Sequence, residues 1–120
     1  FCFGGLCVLD LARSGAKLNA VVSFHGLLTA PPETVEKSIV ADILVLHGYD
    51  DPMVRPTDVM TFCDEMTKKS AKWEVTMFSH TQHAFTNPQA HDLQNGLVYD
   101  ALIAKKAFDA MHAFFARHLQ

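Results

Sequence analysis

Four consecutive apolar residues, Ile43-Leu44-Val45-Leu46, stand in the segment ADILVLHG at positions 41–48. A run this short and unbroken is a strand covered on both faces, because a half-exposed strand would alternate polar and apolar residues. Strands buried on both sides belong to parallel sheets, and parallel strands need helical crossovers between them. This one segment therefore asks for helices on each side of it in the chain.

The rest of the chain supplies them. GLCVLDLARS (5–14) has helical spacing, with Leu6, Leu9 and Ala12 or Arg13 recurring and Gly15 placed to end it. LNAVVSFHG (18–26) is an apolar, β-branched run that reads as a buried strand. After Pro56, TDVMTFCDEMTKKS predicts a helix capped by Thr57, with Val59, Phe62, Cys63 and Met66 on one face. KWEVTMFSH (72–80) alternates, setting Trp73, Val75 and Met77 against Glu74, Thr76 and Phe78, as a strand nearer an edge does. Residues 97–118 predict the longest helix, with a stripe of Ala101, Lys105, Phe108, Met111, Phe115 and Leu119. Between the first two strands, Pro31-Pro32 leads into a short helical turn expected near Glu33 to Ser38. The segment from Leu27 to Ser38 is then either the rim of a pocket or an ordinary crossover connection.

The expected fold is α/β: three recognisable parallel strands with flanking helices. A leading helix with no strand before it further predicts that earlier strands of a larger sheet precede residue 1. Composition agrees with a packed domain. Of 120 residues, 49% are apolar and 19% charged, which excludes a disordered chain. A net charge of −3 with dispersed Lys and Arg gives no footprint for nucleic acid or an anionic membrane. No apolar stretch approaches the roughly 20 residues of a membrane helix, and no secretory signal is visible. Three cysteines without CxxC spacing exclude a zinc ribbon and fit a reducing, cytoplasmic setting.

In parallel sheets, reactive groups gather beyond the carboxyl ends of the strands. Cys2 stands at the head of the first helix, followed by Gly4 and Gly5. Small residues around a nucleophile let a tight strand-to-helix turn pack, and the helix N-terminus favours thiolate over thiol. A buried structural cysteine is the plainer reading. The second visible strand runs into HGYDDP, where Asp50 or Asp51 can orient an imidazole or merely cap the following helix. The third runs into SHTQHAF, offering His80 and His83, whose spacing also permits a metal pair with His47 or Asp50. His25 and His47 each precede glycine at a strand end, where a ring satisfied by backbone is expected. His91, His112 and His118 read as surface positions.

Nucleophile, acid and histidine follow successive strands in the chain order of the α/β-hydrolase triad. FCFGG, HGYDDPMVRP and HTQHAFTNP together resemble the dienelactone hydrolase family, which carries cysteine in a GxCxGG elbow. The resemblance spans the chain but matches the C-terminal half of a family domain, so 1–120 is expected to be that half of a single α/β-hydrolase domain. It implies Cys2 as nucleophile, Asp51 as orienting acid, His83 as base, and the Phe3 backbone N–H as an oxyanion donor. It also implies hydrolysis of a small-molecule ester or lactone through an acyl-cysteine, with no metal or organic cofactor. Dienelactone-cleaving members have arginine four places after the histidine. Here that position is Asn87, and Arg55 lies near the acid loop. With half a domain, the chain as given is expected to be weak or inactive. The alternative is a non-catalytic fragment that packs or oligomerises through an open sheet edge. A redox-sensing thiol at Cys2 is a third option.

Overall fold

Ile43 to Leu46 sit at the centre of the sheet in a computed structural model that describes residues 1–32 and 37–119. They belong to β2 (Asp42–Gly48), which pairs in parallel with β1 (Ala20–Phe24) on one side and β3 (Trp73–Phe78) on the other. The order β1-β2-β3 makes β3 an edge strand, as its alternating pattern predicts. β1 forms the other edge among the described residues.

Alternation along β2 divides the core in two. Ile43 and Val45 point to one face with Leu9 and Ala12 of α1 (Phe3–Arg13) and Val59, Phe62 and Met66 of α2 (Pro56–Lys68). Leu44 and Leu46 point to the other, with Phe24, Phe85 and Ala107 and Phe114 of α3 (Ala101–His118). Helices thus cover both faces, which is why β2 can be apolar without interruption. Arg13 is buried where α1 meets α2. Its guanidinium donates to both Glu65 carboxylate oxygens (2.9 and 2.7 Å), and to Asp10 and the Leu28 carbonyl. The planar fork fits a carboxylate bidentately, and it also ties down the chain leaving β1.

Several local expectations need correction. α1 starts at Phe3, with Cys2 as its N-cap, two residues earlier than its apolar spacing suggests. Thr57 does not cap α2. Arg55 is the N-cap, Pro56 takes the first helical position, and the Asp58 carboxylate accepts the Arg55 N–H at 2.9 Å. α3 starts at Ala101 because Asp100 caps it, its carboxylate accepting the Ile103 N–H at 3.0 Å. Its most buried residues are Ala104, Ala107 and Phe114, with Ala101, Lys105 and Leu119 exposed. The small alanines let α3 approach the sheet, and a stripe drawn through large residues misses them. Residues 91–98 form a short antiparallel pair, β4 (His91–Asp92) and β5 (Leu97–Val98), inside the stretch read as loop and helix start. His118 is half-buried and pairs with Asp42 at 2.7 Å, so it is not a free surface residue. The turn expected near Glu33 to Ser38 falls largely outside the described residues, and Lys37 and Ser38 are not helical. Among the described residues, no helix is long and apolar enough to cross a membrane.

Candidate active site

Cys2 has φ 47° and ψ −120°, a backbone region that side chains with a Cβ rarely occupy. Such a conformation costs about 1–3 kcal/mol and persists only where the surroundings impose it. Here they do. The Cys2 N–H donates to the Phe24 carbonyl at the end of β1 (3.1 Å), and the Cys2 carbonyl accepts from Gly5 (3.0 Å). Gly5 lies against β1 so closely that a Cβ there would strike the Ser23 hydroxyl and stand 2.9 Å from Gly26 Cα. Gly4, by contrast, faces open space. Of the two glycines after Cys2, Gly5 is the one the turn needs.

Asp51 and His83 are brought together by the loops after β2 and β3. Asp50 N–H donates to the Thr81 carbonyl (3.0 Å), and Gly48 leaves no room for a Cβ beside that same carbonyl. Asp51 is 2% exposed; one carboxylate oxygen accepts the Met53 N–H and the other meets His83 Nδ1 at 2.8 Å. His83 is fixed from the far side by β5, its N–H donating to the Gly96 carbonyl and its own carbonyl accepting from Val98. The β4–β5 hairpin is therefore the buttress of this histidine. Its signal was the Asn95-Gly96 step, with Gly96 at φ +72°.

The rivals fall away on geometry. Asp50 and His80 are exposed. His47 Nε2 bonds the Val54 carbonyl at 2.9 Å, a backbone-satisfied ring as expected. Arg55 and Asn87 are both exposed; Asn87 turns its side-chain oxygen to the Gln89 N–H.

His25 departs from expectation. Its ring bonds side chains rather than backbone: Nδ1 lies 3.3 Å from Cys2 Sγ and Nε2 2.8 Å from Thr86 Oγ1. The Cys2 thiol thus rests on His25, while a ring nitrogen of His83 lies within 4.8 Å of it without a hydrogen bond. Nothing in the sequence distinguished His25 from His47, since both precede glycine at a strand end. Only the position of Cys2 over β1 separates them.

Burial is the largest influence on the Cys2 thiol. It pushes the Cys2 thiol up from its ordinary value, the N-terminal ammonium offsets part of this, and the Asp51 charge adds to the rise. The direction of this shift runs against the thiolate that a helix N-terminus favours. The Phe3 N–H, at the first turn of α1, has no backbone acceptor among the described residues.

Burial also lowers His25 to about 4, helped by the charges of His83 and the N-terminus. Its folded value lies below its unfolded one of 6.5, so its neutral form contributes stability in full above pH 6.5. That contribution falls away as pH drops towards 4, by on the order of 3 kcal/mol. Urea midpoints between pH 7 and 4 are expected to show this decline, and His25→Gln to flatten it. An equally steep decline in the variant would assign the effect to other groups.

The sequence profile of the dienelactone hydrolase family matches residues 1–119. The chain belongs to the dienelactone hydrolase family. Among its relatives, an uncharacterized protein of Caenorhabditis elegans is 36% identical over 118 residues, covering 95% of this chain and 74% of that protein. The solved structure of a dienelactone hydrolase-like promiscuous phosphotriesterase from metagenomic libraries is 37% identical. It superposes with a TM-score of 0.89 over 98% of this chain and 50% of that one. An α/β hydrolase from a Medee basin deep-sea metagenome library shares the fold at 20% identity. Its TM-score is 0.71 over 99% of this chain and 52% of its own. The chain spans about half the length of these solved structures. The family is one of hydrolases, and the three parallel strands with their helices are part of its α/β-hydrolase fold.

Proposed function

We propose that this family member hydrolyses small carboxylic esters or lactones through a Cys2–His83–Asp51 triad, with 1–120 as the C-terminal half of one α/β-hydrolase domain. The observation that carries it is the buried Asp51–His83 pair at 2.8 Å, set beside a cysteine on a strained helix-entry turn. A carboxylate on Nδ1 holds that nitrogen's proton and leaves Nε2 as the base.

His83 Nε2 takes the Cys2 proton as the thiolate attacks the carbonyl carbon. The carbonyl π electrons move to oxygen, where the Phe3 N–H donates to the developing charge. Collapse expels the alkoxide, which takes the proton from His83 and leaves an acyl-cysteine. Water then gives a proton to His83, adds to the acyl carbon, and releases the acid while the thiolate recovers its proton. Strain held in the Cys2 backbone keeps the sulfur at the head of α1 throughout. The chemistry requires no metal or organic cofactor, and the three free thiols suit a reducing, cytoplasmic compartment.

A relative that acts on phosphotriesters widens the substrate class worth testing, since a cysteine thiolate can attack phosphorus as well as carbon. A full-length protein containing residues 1–120, offered p-nitrophenyl acetate, a simple lactone and a phosphotriester, is expected to turn over the carboxylic ester first, with a burst of p-nitrophenol, while residues 1–120 alone are expected to be weak or inactive. Failure of the full-length protein on all three would refute the reading.

One observation favours a second reading. β1 has no outer neighbour among the described residues, and Phe3 beside it is 71% exposed. In that reading the chain pairs with another copy and does no chemistry. A sedimenting dimer without turnover is its signature.

A further inference from the structure

We propose that Cys2, His25 and His83 form a reversible site for a thiophilic divalent cation, Zn2+ foremost, and that its occupancy silences the nucleophile. The binding rests on geometry alone; the silencing rests on the proposed triad. Among the described residues, these three are the group whose ligand atoms, Sγ and one ring nitrogen from each histidine, all lie within 4.8 Å of one another. Two of the three residues are buried and Cys2 is half-buried, so the donors are held away from bulk water.

The outer partners decide which nitrogens face the centre. Asp51 occupies His83 Nδ1 at 2.8 Å, leaving Nε2 free. Thr86 Oγ1 occupies His25 Nε2 at 2.8 Å, leaving Nδ1 free, and that atom stands 3.3 Å from Cys2 Sγ. Metal-binding histidines characteristically bond their second nitrogen to a carboxylate or another oxygen, which fixes tautomer and ring orientation. Both rings already have that arrangement. Around tetrahedral zinc, Zn–S near 2.3 Å and Zn–N near 2.0 Å place sulfur and nitrogen roughly 3.5 Å apart. The Cys2–His25 separation already suits this, and closing the His83 distance by about 1 Å completes the set.

One thiolate and two imidazoles are a donor set that selects zinc over magnesium or calcium. Binding converts Cys2–SH to Cys2–S−–Zn2+ and releases one proton to solvent. The fourth position stays open to water. With the sulfur lone pair and the His83 nitrogen both committed to the metal, neither nucleophile nor base remains for an ester. His80, whose spacing from His83 permits a metal pair, is exposed and lies outside this cluster.

The test uses cobalt as a spectroscopic stand-in and zinc as the competitor. Purified protein is expected to bind one Co2+ per chain, with tetrahedral d–d bands and a thiolate-to-cobalt charge-transfer band, both abolished by Zn2+. Cys2→Ser should remove the charge-transfer band, while Cys7→Ser should leave it and the basal turnover intact. His25→Gln should weaken Zn2+ by more than the 10- to 100-fold that loss of an outer partner costs, and Thr86→Val by about 10-fold. Circular dichroism of each variant separates lost binding from lost fold. A charge-transfer band that survives Cys2→Ser, or disappears with Cys7→Ser, overturns the site. So does Cys2-dependent ester hydrolysis that stoichiometric Zn2+ never occupies or inhibits, which would leave the triad standing. Occupancy at Cys2 with unimpaired turnover overturns the silencing and the triad together.

Discussion

Cys2→Ala is expected to lower kcat/KM for an activated ester by at least about 10⁴, since loss of a triad nucleophile removes nearly all covalent catalysis. No other thiol can substitute. Cys7 is exposed on α1 and Cys63 is on the buried face of α2, and neither belongs to the Cys2–His25–His83 cluster. The residual rate would come from His83 activating water directly, and it should show no burst. The fold should survive, because the Cys2 side chain is only half-buried and its hydrogen bond is a single long one to His25. An alanine at φ 47° inherits the same backbone strain, so the melting temperature should move by only a few degrees. Steady-state turnover with a parallel melting curve checks both halves of this. Activity within 10-fold of the parent would remove Cys2 from the mechanism.

Asp51→Asn is expected to cost about 10⁴ in kcat with the structure largely kept. The carboxylate accepts twice, from His83 Nδ1–H and from the Met53 N–H. An asparagine can still accept from Met53 through its oxygen, but it then presents an NH2 group to His83. Nδ1 becomes an acceptor, the proton moves to Nε2, and the base facing Cys2 is lost. Imidazole nitrogen shifts, read by NMR, should report the tautomer change, which a purely structural loss would not produce. Asp50→Asn is the internal control: the residue is exposed, and its variant should behave as the parent. If the two variants are equally active, Asp51 does not orient the base.

How much of this was written in the sequence depends on how local the cause is. β2 was legible because burial on both faces leaves an unbroken apolar run, and Ile43 to Leu46 are all at most 2% exposed. The contact face of α2 was legible for a similar reason, with Val59, Phe62, Cys63 and Met66 all buried. α3 was legible as a helix but not in its contact face, because alanines at 104 and 107 carry little hydrophobic weight while letting the backbone approach. β4 and β5 have two residues each, too few for alternation to register. The Arg55 cap escaped because a backbone N–H to the Asp58 carboxylate does the work that a capping side chain usually does.

The candidate site divides along the same line. Order after successive strands narrowed the candidates to Cys2, Asp50 or Asp51, and His80 or His83, and the family resemblance of their motifs singled out Cys2, Asp51 and His83. His25 and Thr86 were not singled out, because nothing in their local sequence says that they meet across 61 residues. The direction of the Cys2 shift was not legible in the sequence. The dipole at a helix N-terminus is visible in the sequence as a short-range, partial charge, whereas the burial that pushes the thiol up exists only once the chain is folded.

The covalent intermediate tests the central claim most directly. Protein mixed with excess p-nitrophenyl acetate and acid-quenched during the burst should carry one acetyl group per active chain. Peptide mass spectrometry should place that group on the N-terminal peptide at Cys2, and leave Cys7 and Cys63 unmodified. Turnover that proceeds with no acetyl on Cys2, or with the label on Cys7 or a histidine instead, would contradict an acyl-cysteine mechanism.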